Sequence, residues 1–162
     1  MSIMAFAVSA AASLMSATAR GRQIFVSSTG GGTIGEYTIS GAVVNASLFS
    51  GLTTPDFIVV SGPDLFVTSY FSAKVGEFTT TGTTVNTSLV SEINEPFGIA
   101  VSGSDPFVAE FGSNIIGEYT TSGATVNADL ISGLDEPVGI AVVGPVSVGP
   151  PVVPLPRPLG RR

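Results

Sequence analysis

The sequence predicts an all-β repeat protein, and the main reason is an internal period of 41 residues. Ile-Gly-Glu-Tyr at residues 34–37 returns as Val-Gly-Glu-Phe at residues 75–78 and again as Ile-Gly-Glu-Tyr at residues 116–119. Phe-Val pairs, Val-Asn pairs and single prolines keep the same step along the chain. A fixed period of about 40 residues is typical of folds in which each unit buries its face on the next.

Composition is the second observation, and it favours sheet over helix. The chain of 162 residues has 20 glycines and 11 prolines, which are typical of many short strands joined by tight turns. Valine, isoleucine, threonine and phenylalanine, which prefer strands, fill the segments between these turns. Apolar residues make up 44% and charged residues 11%, so the body of the chain is predicted to be folded.

Residues 96–130 show the repeating unit most clearly. Four short apolar runs alternate with turn residues, and we predict the strands Gly98–Val101, Pro106–Phe111, Ile115–Thr120 and Thr125–Leu130. Four antiparallel strands in about 40 residues have the size of one blade of a β-propeller. The fold class is therefore predicted to be a β-propeller-type repeat with about three four-stranded blades.

The strand count leaves an incomplete ring. No innermost strand precedes Gln23, whereas Pro137–Val142 reads as an innermost strand with no blade behind it. Closed propellers typically have four to eight blades, so three blades form only an arc. Either the chain is a segment of a longer propeller, or two chains assemble into a six-bladed ring. In that homodimer Pro137–Val142 of one chain would pair beside Gln23–Ser27 of the other.

The repeat also resembles a known family. Pro-x-Gly-Ile-Ala-Val, Phe-Val-Ala and Ile-Gly-Glu-Tyr are similar to the NHL-type propeller repeat over roughly residues 23–144. Secreted bacterial repeat proteins with similar motifs often end in a Pro-Glu-Pro sorting signal, so the resemblance implies a secreted propeller protein. The C-terminus departs from that pattern, because Pro154-Leu155-Pro156 stands where the signal would be.

The two ends of the chain differ from the repeat region at residues 20–144. Residues 3–15 are small and apolar, and Ala17-Thr18-Ala19 follows them directly before Arg20. This pattern predicts a secretory signal at residues 1–19 and a secreted, extracellular protein; the alternative is an apolar segment that packs on the domain. Residues 145–162 form a proline-rich tail, which we predict to be disordered from about Val146.

Charge and missing residue types narrow the range of partners and cofactors. All 12 carboxylates lie between Glu36 and Glu136, where Lys74 is the single basic residue, so the body is unsuited to nucleic acid. The apolar N-terminal run is too short to span a bilayer, and no membrane partner is predicted. The chain has no cysteine and no histidine, which excludes thiol nucleophiles, disulfides, zinc sites built on those ligands and an imidazole general base.

Two polar positions recur in every copy of the repeat, at Glu36, Glu77 and Glu118 and at Asn45, Asn86 and Asn127. A row of three glutamates would suit a cation, but repetition itself favours a structural role in each blade. Asn45 and Asn86 lie in glycosylation sequons, whereas the third copy lacks one. Because both sequons lie inside predicted strands, structural asparagines are the preferred interpretation.

Polar residues that break the repeat gather in the loops at one end of the predicted blades. The candidate binding face consists of Asp56, Tyr70, Lys74, Glu92, Glu95, Glu110, Asn114, Asp135 and Glu136. Such an acidic surface suits a cation or a basic partner, although solvated loops that keep an apolar protein soluble would have the same composition.

No nucleophile, base and orienting group occur together in the sequence. We therefore predict a protein that is not an enzyme, acting as a binding or assembly scaffold for a protein or other macromolecule, without cofactor or metal. The alternative is a calcium-dependent propeller hydrolase, similar to the lactonases, whose acidic loops hold the ion.

Overall fold

A computed structural model of the protein describes residues 21–143. The predicted signal at residues 1–19 and the predicted tail at residues 145–162 lie outside the described residues. Eleven strands account for most of the described chain, namely β1 Gln23–Ser28, β2 Thr33–Thr38, β3 Val43–Phe49, β4 Pro55–Ser61, β5 Asp64–Ser69, β6 Lys74–Thr79, β7 Thr84–Ser91, β8 Pro96–Ser102, β9 Asp105–Glu110, β10 Ile115–Tyr119 and β11 Thr125–Ile131. None of the described residues forms a helix that is long and apolar enough to cross a membrane.

The strands form three antiparallel sheets, which confirms the predicted blades. Blade 1 contains β1, β2 and β3; blade 2 contains β4 to β7; blade 3 contains β8 to β11. Each sheet follows chain order, so every strand pairs with its sequence neighbour through a short turn. The innermost strands β4 and β8 contact each other, and β1 contacts β4, which arranges the blades as an arc.

The core lies between the blades rather than within one sheet. Successive residues of β5 point to opposite faces: Leu65 and Val67 pack toward blade 1, and Phe66 packs toward blade 3. This alternation follows from the two-residue side-chain period of a strand. Blade 2 is therefore covered on both faces, and its second strand, β5, is almost completely buried.

The loops divide between two ends of the blades. The constant end contains the hairpin turns at residues 39–42, 80–83 and 120–124, together with the short turns at residues 62–63 and 103–104. The variable end contains the other loops, at residues 29–32, 50–54, 70–73, 92–95, 111–114 and 132–136. The predicted candidate binding face belongs to the variable end and to the strand ends next to it.

At the constant end one hydrogen-bonded turn is built three times. In each hairpin a threonine hydroxyl accepts a bond from the backbone N–H four residues later, at 3.0 Å in all three copies, for Thr38, Thr79 and Thr120. A glycine with φ between 84° and 95° completes each turn, at Gly41, Gly82 and Gly123. The threonine, serine and glycine content of these turns therefore has a structural explanation.

Pro137–Val142 does not form the predicted strand, because no sheet of the described residues continues beyond β8 on that side. The segment nevertheless lies against β8: a Cβ atom added to Gly98 would meet the carbonyl oxygen of Val138 at 2.6 Å. It thus lies beside the last inner strand, while at the opposite flank no strand of the described residues pairs with the inner edge of β1.

Candidate functional site

The loops of the variable end share an unusual backbone conformation. Thr54, Glu95 and Glu136 occupy equivalent positions before a proline, and their φ angles are 45°, 50° and 48°. In the described residues, every non-glycine residue with positive φ belongs to this end: Thr54, Ala73, Glu92, Glu95, Asn114 and Glu136. Because such residues disfavour this region, the surrounding contacts must hold the loops in place.

Five aromatic rings form a cluster on the variable end, and Tyr70 and Phe97 lie at its centre. The ring centroid of Tyr70 lies 4.9 Å from that of Phe71, 5.1 Å from that of Phe97 and 6.3 Å from that of Phe111. Phe97 also contacts Phe57 at 5.7 Å and Phe111 at 5.5 Å. Phe71 is 76% exposed and Phe57 41% exposed, so the aromatic cluster is open to solvent.

Carboxylates surround the tyrosine of the aromatic cluster. A hydrogen bond between the side chains of Tyr70 and Glu95 is the main cause that raises the pKa of the phenol, and desolvation adds to it. The charges of Asp56 and Glu136 act in the same direction. Asp56 also accepts a bond from the Tyr70 backbone N–H at 2.9 Å. The structure thus brings four of the predicted face residues together: Asp56, Tyr70, Glu95 and Glu136.

The four phenylalanines of the aromatic cluster are not among the site residues predicted from the sequence. The repeat contained the necessary signal, since Phe71 stands where the other copies have Gly30 and Gly112. Phe97 stands where the neighbouring copies have Asp56 and Val138. Exposed aromatic rings that break the repeat are as informative about a binding surface as polar side chains are.

Glu110 does not belong to the exposed face. Its side chain is buried, accepts a hydrogen bond from the Tyr119 hydroxyl at 2.8 Å and accepts another from the Asn94 backbone N–H at 3.0 Å. Burial, followed by the bond to Glu110, raises the pKa of Tyr119. Glu110 therefore supports the loop between blades 2 and 3 from inside, and its prediction as a face residue is wrong.

Asn114 links two loops of the variable end. Its side-chain oxygen accepts a bond from the Glu136 backbone N–H at 2.8 Å, and its carbonyl oxygen accepts one from the Leu134 N–H at 3.1 Å. Glu92 and Asp135 are exposed on neighbouring loops. Glu92 has a φ of 63° at a position where the other copies have glycine.

Lys74 is not part of the aromatic cluster and lines a cleft of about 280 Å³ between blades 1 and 2. The cleft is lined by Gly51, Leu52, Thr53, Val67, Ser69, Ser72, Lys74, Gly76, Phe78 and Thr87. Its polar lining consists of the lysine and four hydroxyl-bearing residues, and no carboxylate lines it.

Glu36 and the three recurring asparagines take part in hydrogen bonds within their own blades, whereas the structural role of Glu77 and Glu118 stays a prediction. Glu36 is buried in blade 1 and accepts a hydrogen bond from the Gln23 side-chain amide. Asn45, Asn86 and Asn127 each accept a bond from the backbone N–H two residues later, at 3.0, 2.9 and 3.1 Å. Among the described residues no group of three or more aspartate or glutamate side chains is placed to hold a metal ion.

Comparison with known proteins identifies the fold. No protein-family model and no curated protein matches the sequence. A catalytically inactive histidine-to-alanine variant of virginiamycin B lyase from Staphylococcus aureus, solved with quinupristin, is similar with a TM-score of 0.59 and 18% identity. A streptogramin B lyase has a TM-score of 0.59 and 19% identity, and a selenomethionine form of the Staphylococcus aureus enzyme has 0.58 and 18%.

These similarities confirm a propeller-type fold and define its extent. Each covers 72% of this chain but only 40–41% of the neighbour, so the chain spans less than half of those proteins. They also overturn the prediction that the chain is not an enzyme, because all three neighbours are lyases. That prediction was based on the lack of a histidine, a cysteine and an evident catalytic group, which does not exclude catalysis on this fold.

Proposed function

We propose that the variable end is a ligand-binding face of a propeller protein, and that its ligand combines an apolar or aromatic ring with a positive charge. The aromatic cluster is the observation that carries the proposal. Ligand sites are typically lined by aromatic side chains with a few converging polar groups. Here the rings meet Asp56, Glu95 and Glu136, which are within electrostatic reach of Tyr70.

The charge of the face selects the class of ligand. The chain has a net charge of −6, and no basic residue belongs to the aromatic cluster or to the three carboxylates beside it. A cation above an aromatic ring gains about 0.5–1 kcal/mol at an exposed site, and neighbouring carboxylates add to that attraction. A ring-bearing cation, either free or as part of a basic macromolecule, therefore fits this surface better than an anion does.

Binding can be tested with benzyltrimethylammonium as the probe, followed by chemical-shift changes of the Tyr70 and Phe97 resonances. We expect saturable binding, with the neutral benzyl alcohol at least about threefold weaker because it lacks the charge. Phe97→Val should weaken binding of the cation by about fivefold, since it removes the central ring. Ile39→Ala at the constant end is the control and should leave the affinity unchanged. Equal binding of the cation and the alcohol would contradict the proposal.

Lyase-type turnover at the same face is the second candidate, and the lyase neighbours support it. Because the chain contains no histidine, a carboxylate such as Glu95 would have to act as the base. Quinupristin, which is bound in one of the neighbours, is the substrate to test by mass spectrometry. Turnover that disappears in Glu95→Gln would favour this candidate. The calcium-dependent hydrolase stays a prediction, for which the same assay with and without Ca²⁺ is the test.

We further propose that a second copy of the chain completes the arc. Two features support this: β1 has no inner partner among residues 21–143, and Pro137–Val142 has the sequence of an inner strand but belongs to no described sheet. Ile24 and Val26 of β1 are 44% and 42% exposed, so pairing would cover apolar surface at that flank. The contact would be used twice by a two-fold axis.

Light scattering should then report twice the chain mass. Ile140→Asp should reduce it to the mass of one chain, because the half-buried Ile140 would place an unpaired charge in the contact. Val143→Asp, at a residue that is 86% exposed, is the matched control. A stable monomer at micromolar concentration would contradict the dimer.

The NHL-type assignment and the secreted location are proposals as well. The sequence motifs of the repeat support the NHL-type assignment. The apolar residues 3–15 before Ala17-Thr18-Ala19 support secretion. We expect an exported protein to begin at Arg20, and an intact mass that retains residues 1–19 would contradict export by this route.

A further inference from the structure

The two blade interfaces contain the same niche, but they fill it differently. The niche lies where the end of the second strand of a blade meets the loop that leads into that blade. Between blades 2 and 3 it holds the Glu110 carboxylate, which accepts bonds from the Tyr119 hydroxyl and the Asn94 backbone N–H. At this interface the protein thus supplies its own buried anion together with two donors.

Between blades 1 and 2 both of these polar groups are missing. Ser69 stands 41 residues before Glu110, and Phe78 stands 41 residues before Tyr119. The ring of Phe78 nevertheless keeps its position, because it packs over Gly76 just as the ring of Tyr119 packs over Gly117. Both Ser69 and Phe78 line the cleft of about 280 Å³, so the cleft lies where these two polar groups are missing.

The niche between blades 1 and 2 also has a positive charge that its counterpart between blades 2 and 3 lacks at the equivalent position. Lys74 pairs across the sheet with Ser69, and Ile115 is its counterpart across from Glu110. Lys74 is half-buried and forms no ion pair with a described residue, although carboxylates outnumber basic groups two to one in the chain. An ammonium group in a cleft that lacks carboxylates favours an anion from outside the chain.

We propose that the cleft between blades 1 and 2 is a binding site for the carboxylate of a small ligand. The ligand carboxylate would occupy the niche that Glu110 fills in the next interface. Lys74 would donate to it, and Thr53, Ser69 and Ser72 would supply hydroxyl donors from the lining. The residues that line this site do not include any ring of the aromatic cluster, and the proposal does not depend on the function proposed for that cluster.

Amide resonances of the full chain offer a direct test, with sodium propionate as the probe and sodium chloride at equal ionic strength as the reference. We expect saturable shifts at Thr53, Ser69 and Lys74, with a dissociation constant on the order of 10 mM for so small a ligand. Lys74→Gln should weaken binding at least about fivefold, because it removes the charge-assisted bond. Thr125→Ala on the outer strand of blade 3 is the control and should bind as the unaltered chain does.

A second variant fills the niche instead of weakening it. Ser69→Glu combined with Phe78→Tyr introduces the carboxylate and the hydroxyl found in blade 3, and it should abolish propionate binding. Equal shifts in chloride and propionate, or an unchanged affinity in Lys74→Gln, would overturn the proposal. Tighter binding of inorganic phosphate at the same amides would overturn the carboxylate assignment. Should the double variant fail to fold, Lys74→Gln alone decides between these outcomes.

Discussion

The two ends of the blades obey the same 41-residue repeat but use it differently. At the constant end Thr38, Thr79 and Thr120 make the same bond at the same distance in every blade. At the variable end Tyr70 and Phe111 stand where blade 1 has Thr29, and Glu92 stands between two glycine counterparts. Repetition marks residues that the blade itself needs, whereas the residues that break it at this end include both the solvent-exposed Phe71 and the buried, structural Glu110.

The backbone of the variable end does not vary with its side chains. Thr54 differs from Glu95 and Glu136 in size and charge, yet the three φ angles agree within 5°. The loops therefore present different side chains on one shared frame. This arrangement explains how the loops between blades 2 and 3 can carry an aromatic cluster while the strands of the two blades remain equivalent.

The largest predicted effect tests the constant end. Gly123 has a φ of 85°, and a Cβ atom there would lie 2.1 Å from the carbonyl oxygen of Leu89 in the neighbouring blade. Gly123→Ala therefore combines backbone strain with a clash between main-chain atoms, and it should lower the free energy of unfolding by at least about 3 kcal/mol. Urea denaturation followed by circular dichroism would measure the loss.

Gly41→Ala separates the two causes of that loss. Gly41 has a φ of 84° in the equivalent turn of blade 1, but nothing lies within 4 Å of its added Cβ atom. This variant should lose only about 1–2 kcal/mol, from strain alone. Equal losses in the two variants would mean that the hairpin turns do not pack between blades.

The second prediction compares the loss of a tyrosine hydroxyl at a buried site and at the open variable end. Tyr119→Phe removes the hydroxyl that donates to the buried Glu110 and should cost about 2 kcal/mol, because a buried carboxylate loses a partner. Tyr70→Phe removes a hydroxyl bound to Glu95 on the open variable end and should cost less than about 0.5 kcal/mol. The same denaturation measurement checks both variants, and a larger loss for Tyr70→Phe would reverse our assignment of structural and exposed tyrosines.

The sequence was sufficient for the architecture because the period, the strand alternation and the turn residues all point to the same blade. The strands predicted for residues 96–130 agree with β8 to β11 to within two residues at each end. Local preferences and the repeat act in the same direction there, which makes the pattern easy to interpret.

The candidate site was predicted less completely, for two physical reasons. Glu110 was placed on the face because the sequence does not reveal whether a strand-end carboxylate points to solvent or between blades. The sequence shows that Phe71 and Phe97 break the repeat, but it does not show that rings from different blades meet, as those of Tyr70 and Phe111 do. Contacts of this kind depend on how blades pack and not on the pattern within one blade.

The smallest predicted effect concerns a position where two blades differ by one charge. Gln23 donates to Glu36 in blade 1, whereas Asp64 takes the equivalent place beside Glu77 in blade 2. Burial, and secondly the charge of Asp64, raise the pKa of Glu77 in the folded protein. The folded protein thus holds the Glu77 proton more tightly than the unfolded chain does. The contribution of Glu77 to the free energy of unfolding is therefore largest below the unfolded pKa of about 4.3, and it falls as pH rises through the higher folded pKa.

Asp64→Gln removes the second cause of the raised pKa. It should reduce the loss of stability with rising pH and stabilise the protein at pH 7 by about 0.5 kcal/mol. Asp135→Gln removes the same charge from an exposed loop and serves as the control. Unfolding curves for both variants from pH 4 to pH 7 would test the sign, and a steeper fall for Asp64→Gln than for the control would refute it.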